Sequence, residues 1–307
     1  MDIFDKKLID LDVWIQNFVD PLALELRPFF QTVKWPIEKT LNAFETFLIG
    51  APHLVFLLLA GLITWQLSNV RLGVLVVCGF TFIGMIGVWK AAMTTLSLII
   101  TAVLFCVIIG IPIGILAAQN KRVNAFVRPL LDIMQTLPAF VYLVPIVMLM
   151  GIGNVPGVIV TIFFALPPII RLTNLGIREV PANLVEAALS FGSSPRQVLF
   201  KIQMPLAIKT IMTGVNQTLM MALAMTVISS MIAVDGLGMV VLRGIGRLDM
   251  GLATIGGIGI VLLAMMLDRV TQQIGMQSEA HVRWYDRGPI GFLSLVLRKV
   301  GTYIIRA

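Results

Sequence analysis

Acidic residues are missing from a long stretch of this 307-residue chain: no Asp or Glu occurs between Glu45 and Asp132. Charged residues make up only 13% of the whole, about half the share of an ordinary soluble domain, while 58% of the chain is hydrophobic. That balance departs from a soluble domain and implies a polytopic membrane protein. Cysteine is nearly absent as well. Cys78 and Cys106 both lie in apolar runs and form no disulfide framework. The two histidines, His53 and His281, lack metal-ligand spacing. No continuous apolar core opens the chain, so no cleavable leader is expected. No G-x-x-x-x-G-K-[ST] loop exists to cradle phosphates, so this chain is expected to be no enzyme and to bind no cofactor. The glycine-rich run Gly256–Ile260 lacks the lysine and suits helix packing instead.

Long apolar runs take the place of what is missing. Residues 1–48 hold eight of the sixteen acids and show helical spacing of apolar residues (Leu8, Leu11, Ile15, Phe18, Leu22; then Ile37, Leu41, Phe44, Leu48). They read as two amphipathic helices, with Pro36 in the first turn of the second. Two peripheral spans follow within 49–89, at about 51–67 and 72–89. A five-span core covers 90–268, with spans at about 93–118, 137–153, 155–170, 210–234 and 251–267. The tail, 269–307, is basic. The fold class is therefore all-α, with about seven transmembrane helices.

Lys and Arg set the orientation. If 171–209 faces the cytoplasm, fifteen of the 23 basic residues lie inside and three in the outer loops, with five in the N-terminal tail. The N-terminus then lies outside and the C-terminus inside. Six spans, with one proline-broken span lost, would place the N-terminus inside.

One polar segment interrupts the second half: "EAALSFGSSPRQVLFKIQMP", Glu186–Pro205. Pro181 can start a helix with Leu184, Ala188 and Phe191 on one side. Gly192 suits a left-handed C-cap. Ser194, Pro195 and Gln197 match an N-cap, an N1 proline and a capping-box glutamine. A second short helix would carry Val198, Leu199 and Ile202 and stop at Pro205. Two capped helices with a tight turn make a stiff part, whereas an amphipathic loop on lipid headgroups is the plain alternative.

Glu186-Ala187-Ala188, then Gly192, Ile202 and Pro205, resembles the "EAA" signature of permease subunits of ATP-binding-cassette (ABC) importers, with Met204 where the signature has leucine. Met134–Pro181, Gly214–Ile232 and Gly236–Gly251 are similar to the glycine betaine/proline (quaternary amine) branch of that family, with Val234-Asp235 a local departure. The resemblance implies a type I importer, which takes up glycine betaine, proline betaine, choline or related compatible solutes across a bacterial inner membrane. It implies a homodimer of the permease, two ATP-binding subunits carrying ATP and Mg, and an extracytoplasmic binding protein. The segment 181–205 would be the cytoplasmic coupling helix, with Glu186, Ala187, Ala188, Gly192, Ile202 and Pro205 meeting the ATPase. Proline or another small amino acid is the alternative cargo. An ion-coupled secondary transporter is the alternative mechanism, but it calls for acids inside spans and paired repeats, and the assigned spans hold neither.

Candidate pathway residues come from polar and helix-breaking positions inside spans: Pro138, Pro145, Asn216 and Gln217, with Met220 and Met221 as soft neighbours. Ordinary packing is the competing account for the methionines. An aromatic cage for a quaternary ammonium is not evident, with only three tyrosines in the chain.

Overall fold

The computed structural model describes residues 11–277. The first ten residues and the tail 278–307, including most of the expected basic tail, lie outside the described residues. Every regular element described is helical. In chain order these are α1 (Leu11–Gly50), α2 (His53–Leu67), α3 (Val70–Met85), α4 (Trp89–Gln119), α5 (Lys121–Thr136), α6 (Ala139–Met150), α7 (Asn154–Arg178), α8 (Ala182–Ser190), α9 (Pro195–Val198), α10 (Met204–Ser229), α11 (Leu237–Gly246) and α12 (Met250–Gln277).

Four helical stretches are long and apolar enough to cross a bilayer alone: Trp89–Gln119, Asn154–Arg178, Pro195–Ile232 and Met250–Gly275. Two sharply bent pairs raise this to six: α1 with α2, bent by 111°, and α5 with α6, bent by 100°. All seven expected stretches are helical, but three rest on short helices of 15, 16 and 12 residues (α2, α3 and α6). Hydropathy registers the apolar run and is blind to the bend.

The N-terminal region departs from the expectation of two helices. The described part is one 40-residue helix with Pro21, Pro28 and Pro36 inside it. Proline removes one backbone donor per site without forcing the chain to stop. Burial of Ile37, Leu41 and Leu48, and packing of α1 along α4, α6 and α7, hold the helix together. The Thr94 hydroxyl also donates to Glu45 Oε1 at 3.3 Å, tying α1 to α4.

The centre of the bundle is α7, held between α4 and α10. With lipid as solvent, helix association depends on close packing, and small residues permit it. Gly110 and Gly114 of α4 lie one turn apart and face α7. A Cβ at Gly110 would stand 2.4 Å from Ile169 Cγ2, and one at Gly114 would stand 2.6 Å from Thr173 Cβ. A second apolar cluster (Leu48, Phe56, Phe80, Ile83, Met93, Leu237, Leu263, Met266) fastens α2, α3, α11 and α12 to the start of α4. Phe56 stacks edge-on against Phe80 and Trp89, with centroids 5.0 and 5.5 Å apart. Large apolar side chains on α2, α3 and α4, such as Leu54, Leu58, Val74, Ile108 and Leu116, face outward, as lipid contact requires.

Candidate functional site

The polar segment begins where α7 ends. The guanidinium of Arg178 donates to Ala117 O at 2.8 Å and ties the last turn of α7 to the end of α4. Pro181 is the N-cap of α8, and its carbonyl accepts from Leu184 N–H at 3.1 Å. At the other end of α8 the chain turns through Gly192, φ +80°. Gly192 N–H donates to Leu189 O at 2.9 Å, and Ser193 N–H donates to Ala188 O at 3.0 Å. Those two bonds define a Schellman turn, which uses the orphan carbonyls of the helix end. The next helix starts two residues later with its capping box in place. Ser194 N–H donates to Gln197 Oε1 at 2.8 Å, and Gln197 N–H donates to Ser194 Oγ at 3.4 Å.

Pro205 does not end that helix. α9 passes through a π-helical turn, Leu199–Gln203, directly into α10, and one helical stretch runs from Pro195 to Ile232. The physical reason lies in the bonding of the wide turn. Met204 N–H reaches back five residues to Leu199 O, and Pro205 sits in the first turn of α10, where its missing N–H costs little. Val198, Leu199, Ala207 and Ile211 are buried, and the last three pack with Ile177 of α7. The polar segment is thus welded to a spanning helix.

The predicted residues divide by exposure. Glu186 and Ala187 face outward, as does Pro205, while Ala188 is 8% exposed and Ile202 is half-buried. Among the described residues Glu186 makes no hydrogen bond or ion pair. The shared face expected for Leu184, Ala188 and Phe191 is only partly covered, because Leu184 remains exposed and Phe191 is 90% exposed. Leu189 and Phe200 are exposed beside them. Leu189 and Phe200 were missed in the sequence, although apolar residues in an otherwise polar segment are the signal for a docking surface.

The candidate pathway residues do not form one site. Asn216 is committed to structure: its Nδ2 donates to Asp268 Oδ1 at 3.0 Å, and its Oδ1 accepts from the Thr271 hydroxyl at 2.7 Å. Gln272 Nε2 donates to the same Asp268 oxygen at 2.7 Å. The sequence places Asp268 just past the last span, but α12 continues to Gln277 and carries this acid in its interior. Met221 packs on the main core. Pro138 caps α6 at the 100° bend, and Pro145 lies inside α6; both are exposed. Gln217 and Met220 are exposed and continue in one stripe on α10 with Thr213 and Ala224, spaced four, three and four residues apart.

At the opposite end of α10 the chain is clamped. Gly153 N–H donates to Ile232 O at 3.0 Å, Asp235 N–H to Asn154 Oδ1 at 2.8 Å, and Leu237 N–H to Thr95 Oγ1 at 2.8 Å. The departure at Val234-Asp235 fits this clamp. Val234 is buried against Gly157, where a Cβ would stand 2.3 Å from Val234 Cγ2, and the Asp235 side chain faces outward.

Residues 110–274 match the family described as binding-protein-dependent transport system inner membrane component. The chain is 59% identical over 296 residues to the glycine betaine/proline betaine transport system permease protein ProW of Escherichia coli, covering 96% of this chain and 84% of the relative. It is 40% identical to the glycine betaine transport system permease protein OpuAB of Bacillus subtilis, over 87% of this chain and 94% of that one. Among solved structures, a chain of the inward-facing MetNI methionine ABC transporter superposes with a TM-score of 0.58 at 20% identity, covering 62% of this chain and 95% of that one. That likeness shows the shared fold.

Proposed function

The chain belongs to the binding-protein-dependent transport system inner membrane component family, and from this premise we propose that it takes up glycine betaine and related quaternary-amine solutes, driven by a separate ATPase. The cargo reading rests on one observation, the 59% identity to a glycine betaine/proline betaine permease across 96% of the chain. As a permease subunit the chain supplies a route through the membrane. ATP and Mg bind on the partner chain, and an extracytoplasmic binding protein delivers the solute. Two copies of this chain form the pathway, and the uncovered α10 stripe of Thr213, Gln217, Met220 and Ala224 is suited to line it. The basic bias of the sequence supports a cytoplasmic α8 and an outer α11.

Coupling follows from stiffness. A push on α8 passes through the Schellman turn and the capping box into a helix that continues across the bilayer. Glu186 and Ala187 present the contact face, Ala188 allows α8 to lie close to its own bundle, and Phe191 supplies the exposed apolar anchor. Gly192 permits the turn, Ile202 supports it from within, and Pro205 tolerates the wide turn beneath it.

The test is reconstitution with the partner ATPase and binding protein in vesicles, followed by ATP-dependent uptake of labelled glycine betaine, choline and proline. Betaine uptake that needs the ATPase is expected. Uptake without the ATPase would refute the mechanism, and uptake of proline alone would refute the cargo.

A further inference from the structure

Three arginines share one cleft between α5 and α7. Arg128 lies on α5 with Asp132 one turn further on, and Arg171 and Arg178 lie two turns apart on α7. Helical periodicity therefore turns all four toward the same groove of about 390 Å³. Asp132 is the only carboxylate in its lining among the described residues, and it pairs with Arg171 at 2.5 Å. Arg178 has spent one donor on Ala117 O and is fixed in place by it. Arg128 makes no hydrogen bond or ion pair among the described residues. Asn174 donates through Nδ2 to Asn124 Oδ1 at 2.7 Å, while its own Oδ1 is buried and receives no donor. Val127, Leu131, Ile170 and Leu175 complete the walls. The cleft therefore holds two arginines, Arg128 and Arg178, without an ion-pair partner among the described residues.

We propose that this cleft binds the phosphate group of an anionic molecule. Arg128 and Arg178 donate to the phosphate oxygens, since the guanidinium fork matches two oxygens of a phosphate at once. A phospholipid headgroup and a free phosphate share this chemistry, and basic pockets between membrane helices are suited to the first. Arg178 also lines the neighbouring cleft with Glu186 and Gln203, so the bound anion shares an arginine with the coupling segment.

The test uses the assembled transporter in nanodiscs of phosphatidylcholine, titrated either with phosphatidylglycerol or with inorganic phosphate, while thermal unfolding is followed. Four chains are compared: wild type, Arg128→Gln, Asp132→Asn, and Lys121→Gln, which loses the same charge on α5 outside the cleft. Wild type and Lys121→Gln are expected to be stabilised alike. In Arg128→Gln the anion level for half-maximal stabilisation rises about tenfold, the loss of one charged hydrogen-bonding partner. In Asp132→Asn it falls, because Arg171 is released toward the anion. A response to the lipid alone identifies a headgroup site, and an equal response to phosphate identifies a free-anion site. No stabilisation by either anion, or equal behaviour of Arg128→Gln and Lys121→Gln, overturns the proposal. Should Arg128→Gln fail to assemble, the sign for Asp132→Asn decides: an unchanged or weaker response overturns it.

Discussion

Gly192 carries the sharpest prediction. Its φ of +80° is a conformation that costs an L-residue about 1–2 kcal/mol. Nothing lies within 4 Å of a Cβ placed there, so an alanine pays that conformational cost and no steric one. The turn population then shifts by a factor of about 5–30. Asparagine, which enters the left-handed region more readily, should lose less. Gly192→Pro fails twice. Its ring holds φ near −65°, and it deletes the N–H that donates to Leu189 O, a combined cost of about 3 kcal/mol or more. In vesicles with the partner ATPase and binding protein, solute transported per ATP should fall in the order Gly, Asn, Ala, Pro. The proline variant should lose about a hundredfold or more while it still inserts and the ATPase still turns over. Gly87, between α3 and α4, is the control: it has φ +79°, an equally open site, and an N–H that donates to Gly84 O as that of Gly192 does to Leu189 O. Gly87→Ala should leave the ratio unchanged. Wild-type coupling in Gly192→Pro, or equal losses in Gly87→Ala and Gly192→Ala, would refute the stiff-turn argument.

Two further outcomes follow from packing and exposure. Phe191→Ser should leave the thermal stability of the isolated permease within about 0.5 kcal/mol, as expected for a 90% exposed side chain. The same change should weaken ATPase binding in a pull-down titration by about tenfold, the loss expected of an apolar anchor. Gly238→Ala would set a Cβ 2.5 Å from Thr226 O and 3.0 Å from Val227 Cα, both backbone atoms that cannot move aside. It should cost about 1–3 kcal/mol or more and lower the unfolding midpoint. Gly246→Ala, with nothing within 4 Å on the same helix, should sit near wild type.

The turn at Gly192 and the capping box at Ser194–Gln197 were legible because each rests on chemistry local to four or five residues. Pro205 was misread for the complementary reason. A proline's local rule says stop, and the five-residue bond at Met204, with the burial of Val198 and Leu199, says continue. The same override joins the N-terminal region through Pro21, Pro28 and Pro36. Asn216 looked like a pathway residue because a polar side chain in a span needs a partner. The partner is Asp268, fifty-two positions away, and no periodicity connects the two. The Gly110-x-x-x-Gly114 pattern is visible in the sequence, but which helix it seats, α7, is set by the fold. The sequence shows that Phe191 and Phe200 are apolar residues in a polar segment, but their exposure depends on what the bundle leaves uncovered, which only the folded surface decides.

The wide turn at Leu199–Gln203 makes one length of helix hold two angular settings. A π turn carries one residue more than an α turn, so it offsets everything after it by about 100° around the axis. Removing a single residue there would leave every side chain chemically intact and the helix more regular. It would also rotate Pro195–Val198 and the attached α8 about a quarter-turn away from the surface they present, while the spanning part stayed seated on α7. For a lineage of such proteins, chain length across these five residues is therefore as constrained as any side chain, and an insertion or deletion there would be more damaging than most substitutions.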